Sequence, residues 1–184
     1  MPASACSSLV RMFAIAGMAA VSTACATNGG ITVKGADDAL SKKVEITSNM
    51  FFLPANGYPD PVDYYFVSNI VKATGETNYQ ISYAVNSDSW RNWDTLTVDT
   101  GGQTFTSSII WTGEDMSCTD YGCHYAKLGT SPLSREQLQA IASATEQPKA
   151  SIGSPKTSEA LPFKLLPQEA QEVLDRIAAV SPTK

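Results

Sequence analysis

Histidine is almost missing from this chain, and with it go most routes to metal and nucleophile chemistry. His124 is the only one in 184 residues. A tetrahedral zinc site wants three or four nitrogen or sulfur ligands, and the two cysteines nearest His124 have a better use in each other. A serine triad would need that same imidazole, and no serine beyond position 25 sits in a Gly-x-Ser-x-Gly turn. Lysine and arginine never cluster. The 13 basic and 18 acidic residues leave a formal net charge of −5, which argues against nucleic acid and against electrostatic adhesion to anionic lipid. No apolar run reaches the roughly 20 residues of a bilayer-spanning helix. Internal repeats and low-complexity tracts are absent too, and no cofactor or metal is expected.

Carboxylates are plentiful, and the pairs Glu114 with Asp115 and Asp94 with Asp99 have the residue types for acid/base cleavage of a glycan. Spacing alone does not make them converge. A hydrolase is therefore the third of three readings, behind a non-catalytic one and a ligand carrier.

What is present begins at the N-terminus. Arg11 is the only charge among the first 33 residues, and the apolar run Met12 to Val21 follows it. A basic flank, a run of about ten apolar residues and a small-residue stretch make a secretory leader. Ser22, Thr23 and Ala24 lead into Cys25. This resembles the lipobox of bacterial lipoproteins, with Ser22 standing where that family usually carries Leu. The resemblance covers the leader alone. It implies that residues 1–24 are removed, that Cys25 is lipidated, and that the chain is held at the envelope by several acyl chains, since one gives only reversible binding. Ala26 after the cysteine, rather than Asp, fits the outer membrane and a periplasmic face. Ala24-Cys25-Ala26 also offers an ordinary signal peptidase a small-x-small site, with cleavage after Ala26.

Residues 25–42, with Gly29-Gly30 and Asp37-Asp38, read as a lipidated N-terminus and a flexible tether. Residues 43–184 are then one β-rich domain with a C-terminal helix. Within it Cys118 and Cys123 remain, and in an oxidising compartment they are expected to form a disulfide. So short a loop contributes about 2 kcal/mol on the chain-entropy model.

The pattern along the domain is strand after strand. Val44 to Leu53 is a β-prone stretch stopped by Pro54, and Tyr64 to Val71 is a continuous apolar run. Tyr79, Ile81, Tyr83 and Val85 alternate with polar or small residues, and Asn86 to Ser89 reads as a turn. Leu96 and Val98 alternate again before the hairpin signal Thr100-Gly101-Gly102. Phe105, Ser107, Ile109 and Trp111 share one face of a single return strand. Glu114 to His124 reads as a loop, and His124 to Leu128 as one more strand. Ser134 and Gln137 predict a capping box opening a helix of about ten residues. Ala150 to Ile152 and Phe163 to Leu165 predict short strands. Pro167 opens a last helix, striped by Ala170, Val173, Leu174 and Ile177, with Glu169, Glu172 and Asp175 on other faces. The fold class expected is mainly β: an antiparallel sandwich or open barrel with two short helices in the C-terminal third.

Two stretches are candidates for binding. Trp90, Arg91 and Trp93 lie in or beside a turn, and Trp and Arg dominate interface hot spots. The opposite reading packs one indole into the end of the core. Asp120 and Tyr121 sit in the cysteine loop, where a rigid loop on a β scaffold suits recognition. The expected function is a non-catalytic, envelope-anchored interaction with a protein or another envelope component, accessory to an envelope or secretion assembly. The alternative is a periplasmic carrier of a small ligand inside a barrel-like cavity.

Overall fold

The computed structural model describes residues 30–48, 62–87, 89, 91–120, 122–154, 156 and 159–180. They form two antiparallel sheets and two helices, with no closed barrel. The larger sheet has six strands in the order β1 (Thr32–Lys34), β2 (Lys43–Thr47), β3 (Val62–Val71), β4 (Thr77–Ser87), β8 (Gly122–Leu133) and β7 (Ile110–Thr119). The smaller has four, in the order β10 (Ala160–Lys164), β9 (Lys149–Gly153), β5 (Thr95–Asp99) and β6 (Thr104–Ser108). Helix α1 is Arg135–Ala142 and α2 is Pro167–Val180.

Alternation decides which side chains meet. Ile46, Phe66, Ile81, Tyr83 and Val85 of the large sheet and Leu96, Val98, Ala150 and Ile152 of the small one form one buried cluster. The helices extend that cluster where the small sheet stops. Leu138 and Ile141 of α1 join it with Ala170, Val173 and Ile177 of α2, and α2 packs on α1, β2 and β3. The expected capping box is complete: the Ser134 hydroxyl accepts from the Gln137 N–H at 3.1 Å, and Gln137 Oε1 accepts from the Ser134 N–H at 2.7 Å.

The return strand is two strands. Phe105, Ser107, Ile109 and Trp111 do keep one half-buried face, but the hydrogen-bond partner changes along it. Residues 104–108 pair with β5, the Ile109 N–H bonds Asp94 O at 2.9 Å, and from Ile110 the chain pairs with β8 in the other sheet. A period of two records which way side chains point and is blind to which strand lies alongside, so the sheet crossing leaves no mark on it.

Three further expectations change. The segment assigned to the tether includes β1, whose Val33 lies opposite Ile46; three residues are too few to show periodicity. Asn86 and Ser87 continue β4, opposite Ala126 and Tyr125, instead of turning. Glu169 is not on an outer face of α2 but buried, because it lies four residues before Val173 and so on the same side of the helix. The stretch Leu53-Pro54, the leader and Cys25 fall outside the described residues.

Gly129 tests the packing on the inward face of the large sheet, where it lies between Tyr83 of β4 and Trp111 of β7. A Cβ there would come within 2.8 Å of the Tyr83 ring and 2.9 Å of the Trp111 ring. Gly129→Ala is expected to lower unfolding free energy by about 3 kcal/mol, whereas Gly102→Ala, with nothing within 4 Å, changes it by less than about 0.5 kcal/mol. Urea titration of both variants checks this.

Candidate interaction site

Strands β7 and β8 are longer than the sheet that supports them. The last described residue of β4, Ser87, lies opposite Tyr125, so the hairpin beyond that point, Ser117 to His124, has no third strand beside it among the described residues. It projects about 10 Å at the usual rise per residue. An isolated two-stranded ribbon is marginal in water, and the outer strand of this one is exposed throughout: every residue from Glu114 to Asp120 is open to solvent, while across from it Gly122 and His124 are exposed and Cys123 is half-buried.

A covalent bond takes the place of burial. Cys118 and Cys123 lie directly opposite each other in the register and form a disulfide. The stretch expected as a stiffened loop is therefore a stapled β-ribbon, with Asp120 exposed at its tip. It escaped the sequence pattern because a ribbon with two wet faces has no reason to alternate. Tyr121 lies outside the described residues. Met116 is 57% exposed on the outer strand, opposite Tyr125. The His124 ring lies 3.3 Å from Asn86 Oδ1, and among the described residues no three His, Cys, Asp or Glu side chains gather.

The root of the ribbon is where the second candidate stretch arrives. Lys127 faces the core and is only 7% exposed. Its ammonium lies 3.1 Å from Glu114 Oε1 on the facing strand, donates to Arg91 O at 3.1 Å, and sits 5.2 Å from the centre of the Trp111 ring. The Trp111 indole N–H donates to Trp93 O at 2.8 Å, and the same ring meets Tyr83 edge-on at 6.1 Å. Tyr83 shares a 2.8 Å hydrogen bond with Ser131; burial pushes its phenol up to about 12, with the Ser131 bond opposing. Trp93 is itself buried in the core cluster. Arg91 is half-buried and paired with Glu159. Trp90 lies outside the described residues.

Thus Arg91 and Trp93 close the end of the sandwich at the base of the ribbon, while Cys118, Asp120 and Cys123 define its tip. Lys127 is the residue that sequence reasoning passed over. Its signal was parity, since positions 127, 129, 131 and 133 share the inward face that ends in buried Leu133.

The carboxylate pairs have local duties. Glu114 neutralises Lys127, and Asp115 accepts from the Met116 N–H at 2.9 Å. Asp94 accepts from Thr95 at 2.9 Å, and Asp99 from the Gly101 N–H at 2.9 Å. Asp94 and Asp99 stand at opposite ends of β5, about 17 Å apart along an extended strand. Elsewhere, a surface groove of about 670 Å3 runs between α1, α2 and the start of β4, lined by Tyr79, Arg135, Gln139, Gln171 and Asp175 among others.

No protein-family model matches the chain, and no curated protein or solved structure matches it. Among the described residues, no helix is long and apolar enough to cross a membrane.

The plug at the ribbon root works mainly by filling space. Lys127→Ala is expected to cost about 2 to 3 kcal/mol of stability. Lys127→Met, which keeps the volume and leaves the partly exposed Glu114 to water, costs about 1 kcal/mol or less. Thermal and urea unfolding of the two variants measure the difference.

Proposed function

We propose that this chain is an exported envelope lipoprotein, anchored through lipid on Cys25 and facing the periplasm from the outer membrane. Its sandwich body acts without catalysis and presents the β7–β8 ribbon to a protein partner in an envelope or secretion assembly. One observation supports this above the others. A hairpin that buries almost nothing against its own domain is held rigid by a disulfide across its outer end. Rigidity without burial does little for the fold, but it lowers the entropy lost when a partner binds. The exposed Met116, with Asp115 next to it in the strand and Asp120 at the tip, supplies an adaptable apolar contact and a charged rim of the kind interfaces use. A cross-linked pair of cysteines also fits an oxidising compartment.

The experiment uses the full-length protein in intact envelopes, with a photo-crosslinking amino acid at Met116 or, as a control, at Thr97 on the small sheet. Position 116 is expected to give a discrete protein adduct that position 97 does not. The adduct is lost when Cys118 and Cys123 are both changed to Ser. Equal adducts from the two positions, or an adduct indifferent to the cysteines, would contradict the reading. Mass spectrometry of the mature N-terminus tests the anchor separately: a triacylated Cys25 is expected, and an unmodified, full-length chain opposes it.

A further inference from the structure

Glu169 is buried in the face by which α2 docks, with 7% of its surface exposed. Among the described residues, neither carboxyl oxygen has a hydrogen-bond partner. A buried polar group left unpaired in a native fold calls for an explanation. A water-exposed position one residue away, at Gln168, would have spared the fold this cost.

Among the described residues, no cation offsets this burial. From β3 comes the buried phenol of Tyr64, whose hydroxyl already accepts the Leu166 N–H at 2.7 Å; burial, and then the charge of Glu169, push that phenol up. From α2 itself comes Glu172, of the same sign. On β2, Val44 and Ile46 turn to the core, and Lys43 pairs with Glu45 at 3.9 Å. On α1, Arg135 lines the groove beside Asp175 and Gln171, and Glu136 is exposed. The helix N-terminus favours a carboxylate at this position, but burial outweighs it. Desolvation first, and Glu172 second, push the Glu169 carboxyl up to about 8 from its ordinary 4.5.

We propose that Glu169 makes the docking of α2 a proton-dependent latch, closed while the carboxyl is protonated and loosened when it ionises. The sign follows from linkage. In an undocked, hydrated helix the carboxyl loses its proton near its ordinary value, while the docked helix keeps it. Between the two values the docked state holds one more proton than the open state, so docking weakens as pH rises, by up to tenfold per pH unit. Below about 4.5 both states are protonated and docking is at full strength; above about 8 both are ionised and it rests at its weakest. Opening would uncover Ala170, Val173 and Ile177 together with the floor they cover.

Native-state amide hydrogen exchange on the whole protein between pH 5 and 9, corrected for intrinsic rates, tests the latch. The opening constant at the Val173 and Ile177 amides is expected to rise close to tenfold per pH unit up to about pH 8 and then level off. Core amides of β4 are expected to lack that slope, and Glu169→Gln to hold α2 at its low-pH protection throughout. A flat wild-type profile, a slope shared equally by β4, or a slope kept by Glu169→Gln overturns the proposal. Should that variant not fold, carbon NMR of the wild-type carboxyl decides: titration well above 4.5 upholds the latch, and titration at its ordinary value overturns it.

Discussion

The two sheets of this sandwich do not match in length, and much else follows from the mismatch. Strands β7 and β8 have ten and twelve residues, whereas each strand of the small sheet has five. A five-residue strand covers roughly 17 Å of whatever lies beneath it. The large sheet therefore leaves apolar ground uncovered at both ends, and water must be kept off it by something other than a facing strand. At one end the helices do this. At the other, the chain segment from Arg91 to Asp94 crosses between the sheets, carrying Trp93 into the gap with Trp111 and Lys127.

Each closure places an ionisable side chain at low exposure, with opposite results. Lys127 meets a carboxylate, a carbonyl and an aromatic face, so its buried charge is compensated on several sides. The aliphatic stem fills the gap while the ammonium stays partnered. Glu169 meets a phenol already engaged by a backbone N–H and a second carboxylate. One end thus holds a partnered ammonium and the other a carboxyl with no partner among the described residues.

Most of the strand pattern was legible because burial on one face imposes a period of two. Ile81, Tyr83 and Val85 on β4, and Leu96 and Val98 on β5, are all essentially buried. The helix starts were legible because capping is local chemistry, as Ser134 and Gln137 illustrate. Illegible were features set by distance in space. The crossing at Ile109 depends on what pairs with the chain on either side. The extent of the ribbon depends on where β4 stops, and the burial of Glu169 on Tyr64, more than a hundred positions away in the chain. The cysteine pair was readable from the count and spacing of cysteines, given the export that the leader led us to expect. That the bond staples a projecting ribbon and not a loop was not, since exposed strands carry no alternation to detect.

The central claim is that the ribbon is a separate rigid module, fixed by its staple and rooted on a core that does not need it. Residue-resolved amide exchange along β8, before and after reduction of the Cys118–Cys123 bond, tests this most directly. The outer positions, 122 to 124, are expected to exchange about thirtyfold faster once reduced, as for losing a constraint of about 2 kcal/mol, while positions 125 to 131, which lie beside β4, do not change. Acceleration of both groups alike, or of neither, would contradict it.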